Sequence, residues 1–353
     1  MGVLIRLAVV FGGMWLLWSL WHARATILYW VLVIGFFLWL WRFARRHLRG
    51  PLGALVSAVI GLSLLGGLLT GDIEGGAANR PRAAALGDSY SSGEGAHASG
   101  SVYRASSGPC HRSSSAYPRR LQAELRGGPL LFVACSGAET ADMASQVRRL
   151  QRFVSGGEVS YVTVSAGGND AGFADALAGC LLGDCSLLGA FDRLPRSALV
   201  ARVTTLLVAI RETVGPSTPV YLVGYPNLFP SRDTPACTSL TGFSGPEREA
   251  LRSSAEQLDQ ALRVAADHAR VIYVDTLHAF AGHEICTPQP FAHGLVGVDA
   301  TQLASALSPF APDSFHPTPD GHACLAQVFF RQVPDPATWP TESPSVGSGV
   351  PCT

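Results

Sequence analysis

VSYVTVSAGGND, residues 159–170, is a strand followed by a turn, and the architecture can be built outward from it. Its first seven residues are dominated by Val and Tyr and lack the strict polar alternation of a sheet with one wet face. A strand buried on both faces reads this way, and such strands belong to parallel sheets covered by helices. Four other segments have the same character: AAALGD (83–88), PLLFVAC (129–135), PVYLVGYPN (219–227) and RVIYVDT (270–276). Between them lie segments 140–154, 196–214 and 245–269, whose apolar residues recur every three or four positions, as amphipathic helices require. The alternation predicts an α/β fold, a three-layer α/β/α sandwich on a mainly five-stranded parallel sheet. Ligands of such sheets bind beyond the carboxyl ends of the strands. The polar ends GDS, ACSG and SAGGND fall there.

The end of the first strand poses the chemical question. ALGDSYSSGEGA (85–96) has the composition of a flexible tether, yet it follows directly on an apolar strand. The other reading is a serine held exposed in a tight turn. Ser89 would then be the nucleophile, and a hydroxyl needs a base. His316, in PDSFHPTPDGH (312–322), is the best candidate, with Asp313 three residues before it to orient the ring. Donors for a developing oxyanion would be the Ser89 N–H, the Gly137 N–H and the Asn169 side-chain amide. Ser91, Ser92 and Glu94 read as residues that shape the loop. Asp88 and Asp170 read as capping or loop-bonding residues, and His322 as part of the last helix. His97, His111, His278, His283 and His293 lack metal-ligand spacing and read as loop or surface residues.

The chain has 353 residues with 26 basic and 26 acidic side chains, and every basic residue is Arg. Zero net charge supplies no field for nucleic acid, which is excluded as a partner. The first 70 residues are far more apolar than the remainder. Runs at 3–21, 27–41 and 52–69 are expected to span a membrane, which takes roughly 20 apolar residues each. Arg42, Arg45, Arg46 and Arg49 between the second and third runs place that loop in the cytoplasm. Everything after Thr70 then faces outward. The alternative takes Arg45-Arg46 and the third run as an export signal cut near Ala77-Ala78, which gives a secreted protein. Residues 71–82 read as a linker, 83–333 as the catalytic domain and 334–353 as a Pro/Ser-rich tail. Cys110, Cys135, Cys180, Cys185, Cys237, Cys286, Cys324 and Cys352 all follow the apolar region. An even number confined to the exported part reads as disulfides, with connectivity open.

GDSYSSGEG, ACSGA, GGND and DSFHPTPDGH occur in the order of the four blocks of the SGNH, or GDSL, hydrolase family. The chain resembles the secreted lipases and esterases of actinomycetes over about residues 83–333. The resemblance implies Ser89 as nucleophile, His316 as base, Asp313 as the acid of a full triad, and Ser89, Gly137 and Asn169 as the oxyanion hole. It also implies a fold without metal or organic cofactor. It suggests the pairings Cys110–Cys135, Cys180–Cys185 and Cys237–Cys286, which leaves Cys324 and Cys352 for each other. The expected activity is that of a membrane-tethered serine esterase or lipase working through an acyl-enzyme on a lipid, small-ester or acylated-glycan substrate. Acyl transfer or O-acetyl ester hydrolysis on cell-surface glycans or lipids is the alternative reading, and a non-catalytic surface module is a third.

Overall fold

The computed structural model describes residues 73–74, 82–97, 105–125, 127–173, 176–177, 194–231, 237–238, 241–297, 311–332 and 352. The three expected membrane spans and the Cys180–Cys185 pair lie outside these residues. Among the described residues no helix is long and apolar enough to cross a membrane.

The chain after residue 71 folds on a six-stranded sheet. Its strands are β1 (Ile73–Glu74), β2 (Arg82–Gly87), β3 (Leu130–Phe132), β4 (Val159–Ser165), β5 (Val220–Val223) and β6 (Ile272–Val274), in the order β1-β3-β2-β4-β5-β6. The five from β2 to β6 are parallel to their neighbours. β1 departs from the sequence reading, which made 71–82 a linker: Ile73 and Glu74 pair antiparallel with Leu131 and Leu130. Those two residues occupy the edge of β3 that would otherwise present unpaired backbone groups.

Helices cover both faces. α1 (Ser89–Ser92) is the single turn after β2, and α2 (Tyr117–Glu124) precedes β3. α3 (Met143–Val154), α4 (Arg196–Val214), α5 (Gly245–Ala269) and α6 (Pro319–Gln332) complete the layers. α4 and α5 have the bounds expected from periodicity. α5 begins at a capping box, in which Ser244 and Glu247 satisfy each other's backbone N–H groups.

The period of two along each strand sorts the core. Ala83, Ala85, Leu130, Phe132, Tyr221 and Val223 point to one side, against Tyr117 and Leu121 of α2 and Leu325 and Phe329 of α6. Ala84, Leu86, Leu131, Leu222 and Val220 point to the other, against Met143, Leu150, Leu199, Leu207 and Leu262 of α3, α4 and α5. Both faces are dry, which is why the strands show no polar alternation.

Disulfides Cys110–Cys135, Cys237–Cys286 and Cys324–Cys352 are formed. Cys352 thus ties the end of the tail to α6. Cys110–Cys135 is the one that matters for the site, because it fixes the start of the loop after β3.

Candidate active site

The site is assembled from the loops that follow β2, β3 and β4, with a fourth loop ahead of α6. Gly87 ends β2 with φ +125°, outside the range an L side chain adopts readily. Its peptide is clamped by one side chain: Gln146 of α3 accepts from the Gly87 N–H at 2.7 Å and donates to its carbonyl at 2.9 Å. Sequence reasoning passed over Gln146, although a glutamine on the apolar face of an amphipathic helix is itself a signal. Asp88 follows as the N-cap of α1 and accepts from the Tyr90 N–H at 3.0 Å. Its carboxylate also takes the Ser165 hydroxyl at 2.6 Å and the Tyr225 hydroxyl at 2.5 Å. Burial pushes the Asp88 pKa up to about 6, against the lowering by these donors. Its expected capping role is therefore one of three.

Ser89 opens α1, and its Oγ lies 2.8 Å from His316 Nε2. His316 Nδ1 donates to the Ser314 carbonyl at 3.0 Å, with the Pro312 carbonyl also engaged. A carbonyl can only accept, so the proton sits on Nδ1 and the Nε2 lone pair faces the serine. Burial holds the His316 pKa below the ordinary imidazole value; the fields of Glu94 and Asp313 and the two carbonyls work in the opposite direction.

Asp313 is not where the triad reading put it. Its Oδ2 accepts from His97 Nε2 at 2.7 Å, and the partner of His316 Nδ1 is a backbone carbonyl. The reason is the turn between them. The His316 N–H closes onto the Asp313 carbonyl at 3.1 Å, and Phe315 takes the left-handed conformation at φ +63°. That geometry presents the Ser314 carbonyl to the ring and sends the Asp313 side chain to His97. Phe315 is held in this uncommon conformation by ring contacts with Phe229 and Phe243, at 6.2 and 5.6 Å between centroids.

Gly137 is exposed at φ +76°, in a turn closed by the Ala138 N–H on the Cys135 carbonyl at 3.1 Å. A Cβ built there meets nothing within 4 Å, so the backbone faces open space. Among the described residues neither the Gly137 N–H nor the Ser89 N–H donates a hydrogen bond. The second is one of the donors every helix start leaves over. The Asn169 amide spends one N–H on the Ala138 carbonyl at 3.0 Å, which joins the loops after β3 and β4. Asp170 adds to this joint, taking the Thr140 N–H and hydroxyl at 2.9 and 2.6 Å. The loop after β3 is tied to β2 by the Cys135 N–H on the Gly87 carbonyl at 2.9 Å.

Glu94 and His111, read as loop residues, fasten their loop as a pair. Glu94 is fully buried, and His111 Nδ1 donates to its two oxygens at 2.9 and 2.8 Å. Burial alone would raise the Glu94 pKa; the His111 bond, with the charges of His316 and His111, holds it below the carboxylate range instead. His97, His111 and His293 are thus loop fasteners, the last reaching the Gly95 carbonyl at 2.9 Å. His322 is buried in α6 as expected, its pKa pushed down to about 3 by burial.

A serine hydroxyl on the lone pair of a neutral imidazole, beside uncommitted N–H donors at strand ends, is the equipment of acyl transfer. The comparison with known proteins agrees: residues 85–324 match the GDSL-like Lipase/Acylhydrolase family. The chain belongs to this family. GDSL-family relatives include Lipase 1 of Streptomyces coelicolor, 33% identical over 287 residues that make up 79% of this chain and 95% of that one. A lipase of Streptomyces rimosus is 34% identical over 244 residues, 68% of this chain and 81% of its own. Among solved GDSL-type structures, the extracellular lipase from Streptomyces rimosus aligns with TM-score 0.59 and 30% identity, over 72% of this chain and all (100%) of that one. Phospholipase A1 from Streptomyces albidoflavus aligns with TM-score 0.55 and 28% identity, over 72% and 100%. The GDSL-family chain is accordingly a carboxylic ester hydrolase.

Proposed function

We propose that the hydrolase works through a Ser89–His316 dyad supported by main-chain carbonyl, on the outer side of a membrane to which its N-terminal region tethers it. The observation that carries the chemistry is the 2.8 Å contact of Ser89 Oγ with an imidazole whose other nitrogen is committed to the Ser314 carbonyl. His316 takes the hydroxyl proton as Ser89 Oγ attacks the ester carbonyl. The tetrahedral oxygen is received by the N–H groups of Ser89 and Gly137 and by the free N–H of the Asn169 amide. His316 then gives its proton to the leaving alcohol, which leaves an acyl-serine. Water attacks that ester with His316 again as base, and the acid and Ser89 are released. No role is assigned to Asp313. The apolar runs at 3–21, 27–41 and 52–69 support the tether, and the three disulfides support an oxidising compartment.

A fluorophosphonate probe on the full-length protein tests both parts. The adduct is expected on Ser89, in protein that stays with the membrane pellet after alkaline carbonate washing. An adduct elsewhere sinks the nucleophile assignment. Release into the supernatant removes the tether and leaves the chemistry standing. The same preparation assayed on esters of increasing acyl length sorts lipase from short-chain esterase.

The pH profile follows from the base. His316 acts only when neutral, and its neutral fraction falls as pH falls through its pKa. Because burial lowers that pKa, the acid limb of kcat/KM should be centred below pH ~6.5. An acid limb centred above 7 would show that His316 is not held in this environment.

A further inference from the structure

Tyr225 stands two residues beyond the end of β5, in no catalytic block, yet it touches two of the loops that make the site and reaches a third through Tyr90. Its hydroxyl donates to Asp88 Oδ2 at 2.5 Å and accepts from the Gly168 N–H at 3.2 Å. Asp88 caps the turn that carries Ser89, and Gly168 immediately precedes Asn169. The backbone at Gly168 rests on the ring itself: a Cβ there would lie 3.2 Å from Tyr225 Cζ. The ring also meets Tyr90 edge-on, with centroids 5.0 Å apart. Tyr90 in turn donates its hydroxyl to the Phe315 carbonyl at 3.0 Å, in the turn that aims His316.

The hydroxyl therefore stands between the nucleophile turn and the loop that carries Asn169, bonded to both. We propose that Tyr225 is a positioning residue, whose hydroxyl sets the separation between the Ser89 turn and the Gly168–Asn169 peptide so that the Asn169 amide meets the tetrahedral oxygen. This rests on the reading of Ser89 as nucleophile and Asn169 as oxyanion donor. Tyr225 touches no substrate in this scheme. The hydroxyl is kept protonated, and so able to donate, by its burial and by the Asp88 charge, both of which raise its pKa.

Phenylalanine at 225 keeps the ring and its packing but deletes both hydrogen bonds. The oxyanion donor then loses registration with the nucleophile, while the ground-state ester is held as before. An error of this kind in a catalytic array costs about 10- to 100-fold. In the full-length protein, Tyr225→Phe should lower kcat for a p-nitrophenyl ester by about that factor with KM changed less than about twofold. Affinity for a trifluoromethyl ketone, which forms a tetrahedral hemiketal on serine, should fall in parallel. Thr218→Val is the control. It removes a buried hydroxyl bonded to the Val159 carbonyl at the opposite end of β5, and should cost stability without lowering kcat.

If Tyr225→Phe folds poorly, Asp88→Asn tests the same bridge. Where Tyr225→Phe does fold, the double variant should be little worse than the worse single one, since both variants disturb one connection. Wild-type kcat in Tyr225→Phe, strictly additive losses, or a rise in KM with unchanged hemiketal affinity would each overturn the proposal. Those failures are separable from failure of the dyad: an active Ser89→Ala sinks both readings, whereas an inactive Ser89→Ala beside a fully active Tyr225→Phe sinks only this one.

Discussion

Ser89→Ala should cost the enzyme about 10⁴- to 10⁶-fold in kcat on any ester it accepts, with its thermal unfolding midpoint unchanged. The serine Oγ is the one group placed on the imidazole lone pair, and alanine leaves no nucleophile in its position. The substitution removes one small buried hydroxyl bonded to His316 and opens no apolar cavity, so the fold is spared. Residual turnover would come from the oxyanion donors acting on water. His316→Ala should behave alike, because nucleophile and base act as a unit. Asp313→Ala is the informative contrast. Its carboxylate bonds His97, while the ring's Nδ1 is held by the Ser314 carbonyl, so turnover should stay within about threefold of wild type, well short of the roughly 10⁴-fold loss seen when a true triad acid is replaced. Steady-state assay of the three variants on one ester suffices. A loss at Asp313 comparable to that at His316 would mean the carboxylate does reach the ring in the working enzyme.

Gly87→Ala should destabilise the domain by about 3 kcal/mol or more. A Cβ at Gly87 would stand 2.5 Å from the Ser165 carbonyl oxygen and 2.7 Å from its amide nitrogen, both backbone atoms of the neighbouring central strand. Neither can give way without breaking the pairing of β2 with β4, where Gly87 is in register with Ser165. The positive φ adds about 1–2 kcal/mol of strain for any L side chain. The Gln146 clamp would be pulled off the same peptide. For a domain of this size the unfolding midpoint should drop by about 6–12 °C, measurable by circular dichroism. An unaltered midpoint would show that the two strands are further apart at this point than described.

The two predictions divide the nucleophile segment between fold and chemistry, and that division explains what could be read in advance. The sheet was legible because its strands are dry on both faces and its long helices are periodic; α4 and α5 show this to the residue. The candidates Ser89, Gly137, Asn169 and His316 could be singled out as residue types at the ends of strands, or, for His316, in a restricted loop. The partner of His316 could not be, because a DxxH spacing describes two side chains and carries no information about the φ of Phe315 between them. β1 was hidden by brevity: two residues cannot show a period. Glu94 and His111 are 17 residues apart, and Tyr225 and Asp88 are 137 apart, so their pairing exists only once the loops meet. The sequence reading had Glu94 and His111 as loop residues, Asp88 as a capping or loop-bonding residue, and Tyr225 near the end of a strand segment. Burial turned them into the fastenings that hold the site.

The turn at 313–316 carries one more consequence. What a backbone carbonyl supplies, no side-chain substitution can delete. The support of His316 is inherited by any sequence that keeps Phe315 in its left-handed conformation over Phe229 and Phe243. On the proposed dyad, position 313 serves its loop through His97 and leaves the aim of the ring to the main chain. In this chain the aim of the ring is thus a property of the turn's shape, maintained from beneath by aromatic packing, more than of any one polar side chain.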